Sequence, residues 1–508
     1  MPAAPPLRTY VEENLDAFEA HPDRVSLVCR GRRLTAGEVR NLIHRMARAL
    51  AAQGNRRGQT VTLLCGNLPE GIVARYAASL LGCRVSHLNN KLSAQVQANV
   101  VDDAETRVLI VDPAYAEQAT AVTELMPVKT LLTLGPAGIG QDLLTSAAEQ
   151  PADPVTCRSR LDDACFIRHS GRTTGLPKAI GMSFARLARY CAIHPRPHQP
   201  PVQLVCSTLT HGAGLLADVT LRDGGTVVLL EGFDAGTVLS AVEEEHVTYL
   251  FLAPPLLYQL LGHPDLSRTE LSSLRRVAYG GSASPPSALR SRPAASKAYS
   301  ISSTAKRKPA PSAGSPRTTT IPSSPNACDR WEKTGRRRGR FRDANGNDLP
   351  DGRHGEICVR SSSVMDGYWK RPDLTAKVLR NGWAHTGDLG YLDDDGCLTI
   401  VGRINDMIKV VGGHVSTTCL EHVLDSHPAV QQSAVFGVRD DDHIERIHAA
   451  VVPIPDRTID AQELHPLVRE ERGPLHDLAD ITFLDALPLT EAGKPDKKLL
   501  QVQAHKNR

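Results

Sequence analysis

The sequence predicts an α/β fold, with a large N-terminal domain built on mostly parallel sheets and a small α+β domain after it. Three observations predict it. Apolar runs of strand length alternate with segments of helical period over the first half of the chain. After Arg403 the pattern changes to shorter, mixed α+β elements. At 508 residues the chain is also too long for one compact core.

The elements follow in order. Residues 34–55, "LTAGEVRNLIHRMARALAAQGN", carry apolar residues at helical spacing, and Gly54 is the stop signal. "QTVTLLCG" reads as a buried strand, "PEGIVARYAASLLGC" as a helix and "TRVLIVD" as the next strand. "DDACFI", "GTVVLLEG" and "VTYLFLAP" continue the strands, and such alternation with helices implies parallel sheets. From "DGRHGEICVRSSSVMDGYW" the strands shorten and turns become frequent, as in a small β-rich section. Beyond Arg403 come "MIKVVGG", a helix near "TTCLEHVLDSH", then "AVVPIP" and "ADITFLDALP". The expected domains are 1–402 and 403–508.

Composition excludes several classes. With 41% apolar and 23% charged residues the chain is an ordinary globular protein, and a net charge of +3 says little about partners. The eleven cysteines stand singly, without a C-x-x-C pair, which argues against a disulfide framework or zinc knuckle and for a reducing compartment. Cys165 and Cys206 read as small buried hydrophobes. The first residues, "MPAAPPLRTYVEENLDAF", have acids and prolines where a secretory signal needs an apolar run. The longest apolar stretch, from Val247, is short and broken by prolines, so no membrane span is expected. The expected location is the cytoplasm.

One segment breaks the pattern. Residues 284–340 have no apolar periodicity and are crowded with Ser, Pro, Arg and Lys. Their position between two well-patterned stretches is anomalous for a loop of that length. Thirteen basic residues against two acidic ones suit phosphate contacts, but no aromatic platform accompanies them, so nucleic-acid binding is not expected.

The motifs that carry chemistry lie on either side. "SGRTTGLPKAI" offers threonine hydroxyls, glycine-freed N–H groups and a lysine, the donors a polyphosphate requires: Thr173, Thr174, Gly175 and Lys178. Its spacing is not that of a Walker loop, and alone it reads more readily as a Gly/Thr-rich surface turn. "TLTHGAG" around His211 and Gly212, "RRVAYGGSASPP" with Gly280 and Gly281, "GWAHTGDLGYLDDDGCLTIVGRINDMIKVVGGHV" and "PLTEAGKPDKKLL" follow in order. Together these segments resemble the adenylate-forming (AMP-binding) superfamily of acyl-CoA synthetases, peptide-synthetase adenylation domains and luciferases.

The resemblance implies roles. Thr173, Thr174, Gly175 and Lys178 would hold the phosphates, and Gly280 and Gly281 the adenine. Asp388 of T-G-D would accept both ribose hydroxyls, as a carboxylate with several acceptor sites can. Arg403 would approach ribose and phosphate, and Asn405 would be the hinge of the small domain. Lys494 would be the catalytic lysine, neutralising charge on the α-phosphate and carboxylate during adenylation. Lys409, Gly412 and Gly413 would face the thiol tunnel, and His211 and Gly212 the acyl pocket. The implied reaction joins a small carboxylic acid, through its adenylate, to the thiol of coenzyme A, with ATP and Mg²⁺. The alternatives are loading of an acyl or peptidyl carrier protein, or a remnant of the family without catalysis.

The chain departs from the pattern at four residues: Arg172 and Ala179 replace glycines of the phosphate loop, and Thr417 and Cys419 replace a proline and a glutamate after the hinge. A larger departure is the Tyr-Gly-x-Thr-Glu motif, whose glutamate would hold Mg²⁺; it occurs nowhere in the sequence, so no metal ligand is assigned. By family spacing it belongs near residue 305, inside the anomalous segment. Read from the third base of the Tyr299 codon, a choice of GC-rich codons for "YSISSTAKRKPA" can also spell Leu-Asp-Gln-Leu-Tyr-Gly-Gln-Thr-Glu-Ala-Gly, as codon degeneracy permits. The segment is therefore either a stretch in a shifted reading frame between two compensating shifts, or a disordered insertion.

Overall fold

The computed structural model describes residues 7–169, 178–194, 196–210, 212–280, 300–304, 339–343, 345–350, 352–361, 364–392, 398–411, 413–440, 445–455, 457–489 and 495–506. The chain divides into two compact units, Met1–Leu252 with Arg268–Arg275 and Ser362–Leu379, and Ala253–Ser267 with Arg276–Ser361 and Arg380–Arg508.

In the first unit the alternating pattern becomes a parallel sheet. Strand Thr60–Leu64, buried at every residue, pairs in parallel with Arg84–His87 on one side and Thr106–Val111 on the other. Ala164–His169 extends this sheet in parallel beside Arg84–His87. Ala179–Ser183 then returns antiparallel to it. The helix expected at 34–55 runs Ala36–Ala52. Thr35 and Glu38 close a capping box at its start, and Gly54 turns the chain at φ 79°. A second sheet sets Val202–Val205 between Thr226–Leu229 and Tyr249–Leu252, again in parallel. The core between these elements holds Tyr10, Tyr76, Phe166 and Phe184, with Tyr10 edge-on to Tyr76 at 5.3 Å between centroids. One buried ion pair crosses it. Arg75 Nη1 on helix Pro69–Leu80 donates to Asp218 Oδ2 on helix Gly212–Arg222 at 2.8 Å, and Tyr76 Oη donates to Asp218 Oδ1 at 2.8 Å.

The second unit contains an antiparallel sheet, Gly339–Arg342, Gly355–Val359, Trp383–Leu392 and Leu398–Arg403. Arg403 is its last residue, and the 3₁₀ turn Ile404–Asp406 leads to the hairpin Met407–Val410 and Gly413–Ser416. Ser416 caps helix Thr417–Leu424. Strands Val430–Arg439, Glu445–Pro453 and Asp480–Phe483 form a three-stranded sheet. Its core gathers Val415, Leu420, Val435, Val451 and Leu464.

Strand Ser300–Thr304 corrects an expectation. The sequence gives no strand between 284 and 340, yet this one pairs in parallel with Arg276–Gly280, Arg276 opposite Ser300 and Gly280 opposite Thr304. A short run with β-branched Ile and Thr suffices once a neighbouring strand supplies the ladder. Strand Gly339–Arg342 likewise reaches back into the segment's end. The rest of that segment lies outside the described residues. The nine described cysteines are all free, with Cys165 and Cys206 buried as expected. No helix among the described residues is long and apolar enough to cross a membrane.

Candidate active site

The Thr-Gly-Asp sequence is a bulge. Strands Gly355–Val359 and Trp383–Leu392 pair with Cys358 opposite His385 and again with Glu356 opposite Leu389. Between those two pairs one strand carries Thr386, Gly387 and Asp388 while the other carries Ile357 alone, so the three residues are thrown out of the ladder. Gly387 takes φ 70°, which glycine adopts without the penalty a Cβ brings. Thr386 Oγ1 donates to Ile357 O at 2.7 Å and accepts from Asp388 N at 3.0 Å. On the far side Asp388 lies opposite Arg403 in register, and Arg403 Nε is 3.2 Å from Asp388 Oδ1. The Asp388 side chain is 15% exposed, so its carboxylate is held in place yet reachable.

Beneath the bulge lies a pair that the motif reading missed. Glu356 Oε1 accepts from Gly387 N at 3.0 Å, and Glu356 Oε2 is 2.7 Å from His385 Nδ1. A carboxylate only accepts, so the proton of this bond sits on Nδ1. Cys358 Sγ lies 3.3 Å from the same nitrogen. Burial first, and the Glu356 charge second, push that thiol up to about 12. Glu356, Cys358 and His385 are the one group among the described residues whose donors converge as metal ligands would. Two ligands on a tetrahedral zinc stand about 3.3 Å apart. The 2.7 Å between Nδ1 and Oε2 is a hydrogen bond instead, and a protonated thiol is a poor ligand. The sequence did carry a signal. Period two along "GEICV" sets Glu356 on the face of buried Cys358.

The phosphate-loop residues Thr173, Thr174 and Gly175 lie outside the described residues, but both stems are described. They are antiparallel strands with His169 opposite Ala179. His169 Nε2 is 3.0 Å from Asp103 Oδ2, and this hydrogen bond above all holds the Asp103 carboxyl below its ordinary range. Trp369 Nε1 donates to Asp103 O at 3.1 Å, and the Lys178 ammonium stands 5.4 Å over the Tyr368 ring. The segment "GYW" at 367–369 thus braces the loop's stem, a role its sequence did not suggest.

Of the remaining candidates, Gly280 ends strand Arg276–Gly280, while Gly281, His211, Gly412 and Lys494 lie outside the described residues. Gly212 opens helix Gly212–Arg222, and Asn405 is in the turn after Arg403. Lys409 and Gly413 lie on facing strands of one hairpin. The smallness of Gly214 has a local cause: a Cβ there would stand 2.0 Å from the Leu209 carbonyl oxygen. On either side of 490–494, Leu489 pairs with Pro495. Lys497 Nζ then bonds Glu421 Oε1 at 2.6 Å and Thr417 Oγ1 at 2.9 Å, so Thr417 takes up a contact of its own. Cys419, half-buried on that helix, has its thiol raised by burial. The structure brings Asp388 and Arg403 together within the second unit; Lys178 belongs to the first.

Comparison with known proteins bears on this arrangement. The profile of the family described as "AMP-binding enzyme" matches residues 15–298, and "AMP-binding enzyme C-terminal domain" matches residues 420–494. The medium/long-chain-fatty-acid–CoA ligase FadD8 of Mycobacterium tuberculosis is 32% identical over 96% of this chain and 88% of its own. A feruloyl-CoA synthase of Amycolatopsis is 32% identical over 91% and 92%. Among solved structures, the amide bond synthetase McbA of Marinactinospora thermotolerans superposes with a TM-score of 0.83 at 31% identity, over 98% of this chain and all of its own. With matches to both domains and nearly full-length relatives, the chain belongs to the AMP-binding enzyme family, the adenylate-forming acid–thiol ligases.

Proposed function

We propose that the protein activates a carboxylic acid with ATP and passes the acyl group to the thiol of coenzyme A. The acid's carboxylate attacks the α-phosphate, pyrophosphate leaves, and the thiol then displaces AMP. The observation that carries this reading is the Asp388 bulge beside Arg403, a fixed, partly exposed carboxylate next to a cation, which suits a ribose diol beside a phosphate. Lys178 and the loop threonines would hold the phosphates, Gly280 and Gly281 the adenine, and Lys494 the charge that develops at the α-phosphate. Arg403 ends one sheet and Met407 begins the next hairpin, which supports domains 1–402 and 403–508 with Asn405 as the hinge between them. Lys409, Gly412 and Gly413 would line the thiol's path, and His211 and Gly212 the acyl pocket. Free cysteines fit a cytoplasmic location.

Mg²⁺ does not fit the residues present. The glutamate that would hold it has no counterpart in this sequence.

The test follows the acceptor. With a panel of medium-chain and aryl acids, the chain with the alternative frame restored near residue 305 should give AMP and thioester from ATP only when coenzyme A is present. A carrier-protein phosphopantetheine taking the acyl group in place of free coenzyme A would overturn the choice of acceptor. A second reading has one observation in its favour, the likeness to an amide bond synthetase at 31% identity. It predicts amide from a supplied amine and no thioester.

A further inference from the structure

We infer that Glu356 and His385 are positioning residues for nucleotide binding: they fix the bulge that presents Asp388. The inference rests on the proposed role of Asp388 at the ribose. Thr386, Gly387 and Asp388 have lost their regular partners on the side of Gly355–Val359, so something else must set their course there. Glu356 does this from the neighbouring strand. One carboxylate oxygen takes the Gly387 N–H at 3.0 Å, inside the bulge and next to Asp388. The other is held by His385 Nδ1–H at 2.7 Å, from the residue that enters the bulge. Glu356 therefore grips the bulge at its stem and at its tip. The His385 side chain is 6% exposed and that of Glu356 17%, so the carboxylate is screened from water that could replace either bond. Glu356 and His385 act on Asp388 through the backbone from Gly387.

Two variants separate positioning from mere support. Glu356→Gln keeps the chain length and an acceptor for Gly387, whereas Glu356→Asp keeps the charge but is one methylene too short to reach it. The probe is AMP against 2′,3′-dideoxy-AMP, measured by calorimetry on the full chain, so no turnover is required. A carboxylate bonded to two hydroxyls should favour AMP by about 10–100-fold. Glu356→Gln should retain most of that preference. Glu356→Asp should bring the two ligands to within about threefold of each other, with dideoxy-AMP binding unchanged. Asp388→Asn is the control for the reading itself. If Asp388→Asn keeps the preference, or the parent shows none, the ribose role of Asp388 fails and this inference falls with it. If Asp388→Asn loses the preference but Glu356→Asp keeps it, the ribose role stands and the positioning role is overturned. Loss of affinity for both ligands equally, or of the fold in both Glu356 variants, makes the pair structural and also overturns it.

Discussion

Removing the Lys494 ammonium, by Lys494→Ala, should slow acid-dependent pyrophosphate exchange by about 10²–10³-fold, the usual cost of one donor at a developing charge. Thioester formation from a supplied acyl-adenylate should continue at the parent rate, because that half-reaction places no new charge on the α-phosphate. Equal loss in both assays would remove Lys494 from the adenylation step. A second residue makes a prediction about pH. Burial holds the Asp425 carboxyl well above its ordinary range, against hydrogen bonds from Ser433. In the unfolded chain this group ionises above about pH 4, while the folded chain keeps its proton. The unfolded state then binds fewer protons, so stability declines as pH rises from there toward the folded-state value. Asp425→Asn should therefore melt later than the parent at pH 8 and at nearly the same temperature at pH 4. A gap that does not change with pH would contradict it. At this scale the sequence was most informative where chemistry and motif coincide, as at Asp388 and Arg403. The pairing of Glu356 with His385 was hidden because two residues 29 apart in the sequence meet only once their strands pair.

Whole elements were legible where one period dominates. Helix Ala36–Ala52 and strand Thr60–Leu64 follow directly from apolar spacing and full burial. The bulge at Thr386–Asp388 does not, since a register shift leaves the composition of a strand unchanged. Nor does strand Ser300–Thr304, whose formation depends on Arg276–Gly280 beside it. Packing of elements gives a further prediction. Arg75 and Asp218 tie helix Pro69–Leu80 to helix Gly212–Arg222, with their side chains 5% and 0% exposed. Arg75→Met leaves the Asp218 charge buried without its cation and should cost about 3–5 kcal/mol by denaturant unfolding of the first unit. Replacing Asp218 by Leu in the same chain should return a large part of that loss. Additive losses would mean that the two charges do not depend on each other.

For the molecule as a whole, the family is established by both domains, while the metal-binding glutamate of the resemblance is missing from the chain. The strand Ser300–Thr304 covers positions whose codons can spell Asp-Gln-Leu-Tyr in the alternative frame, so a strand forms where that frame would place the one leading to Tyr-Gly-Gln-Thr-Glu. The fold is that of the family's acid–thiol ligases, and the 508-residue sequence has no Tyr-Gly-x-Thr-Glu motif, which we propose leaves its site incomplete. ATP–pyrophosphate exchange, driven by a panel of aryl and medium-chain acids, tests both when the chain is assayed beside the same chain with the alternative frame restored across residues 299–310. The restored chain should exchange with at least one acid at least about 10²-fold faster than the original. Full ATP- and Mg²⁺-dependent exchange by the original chain, or none by the restored one with any acid, would contradict it.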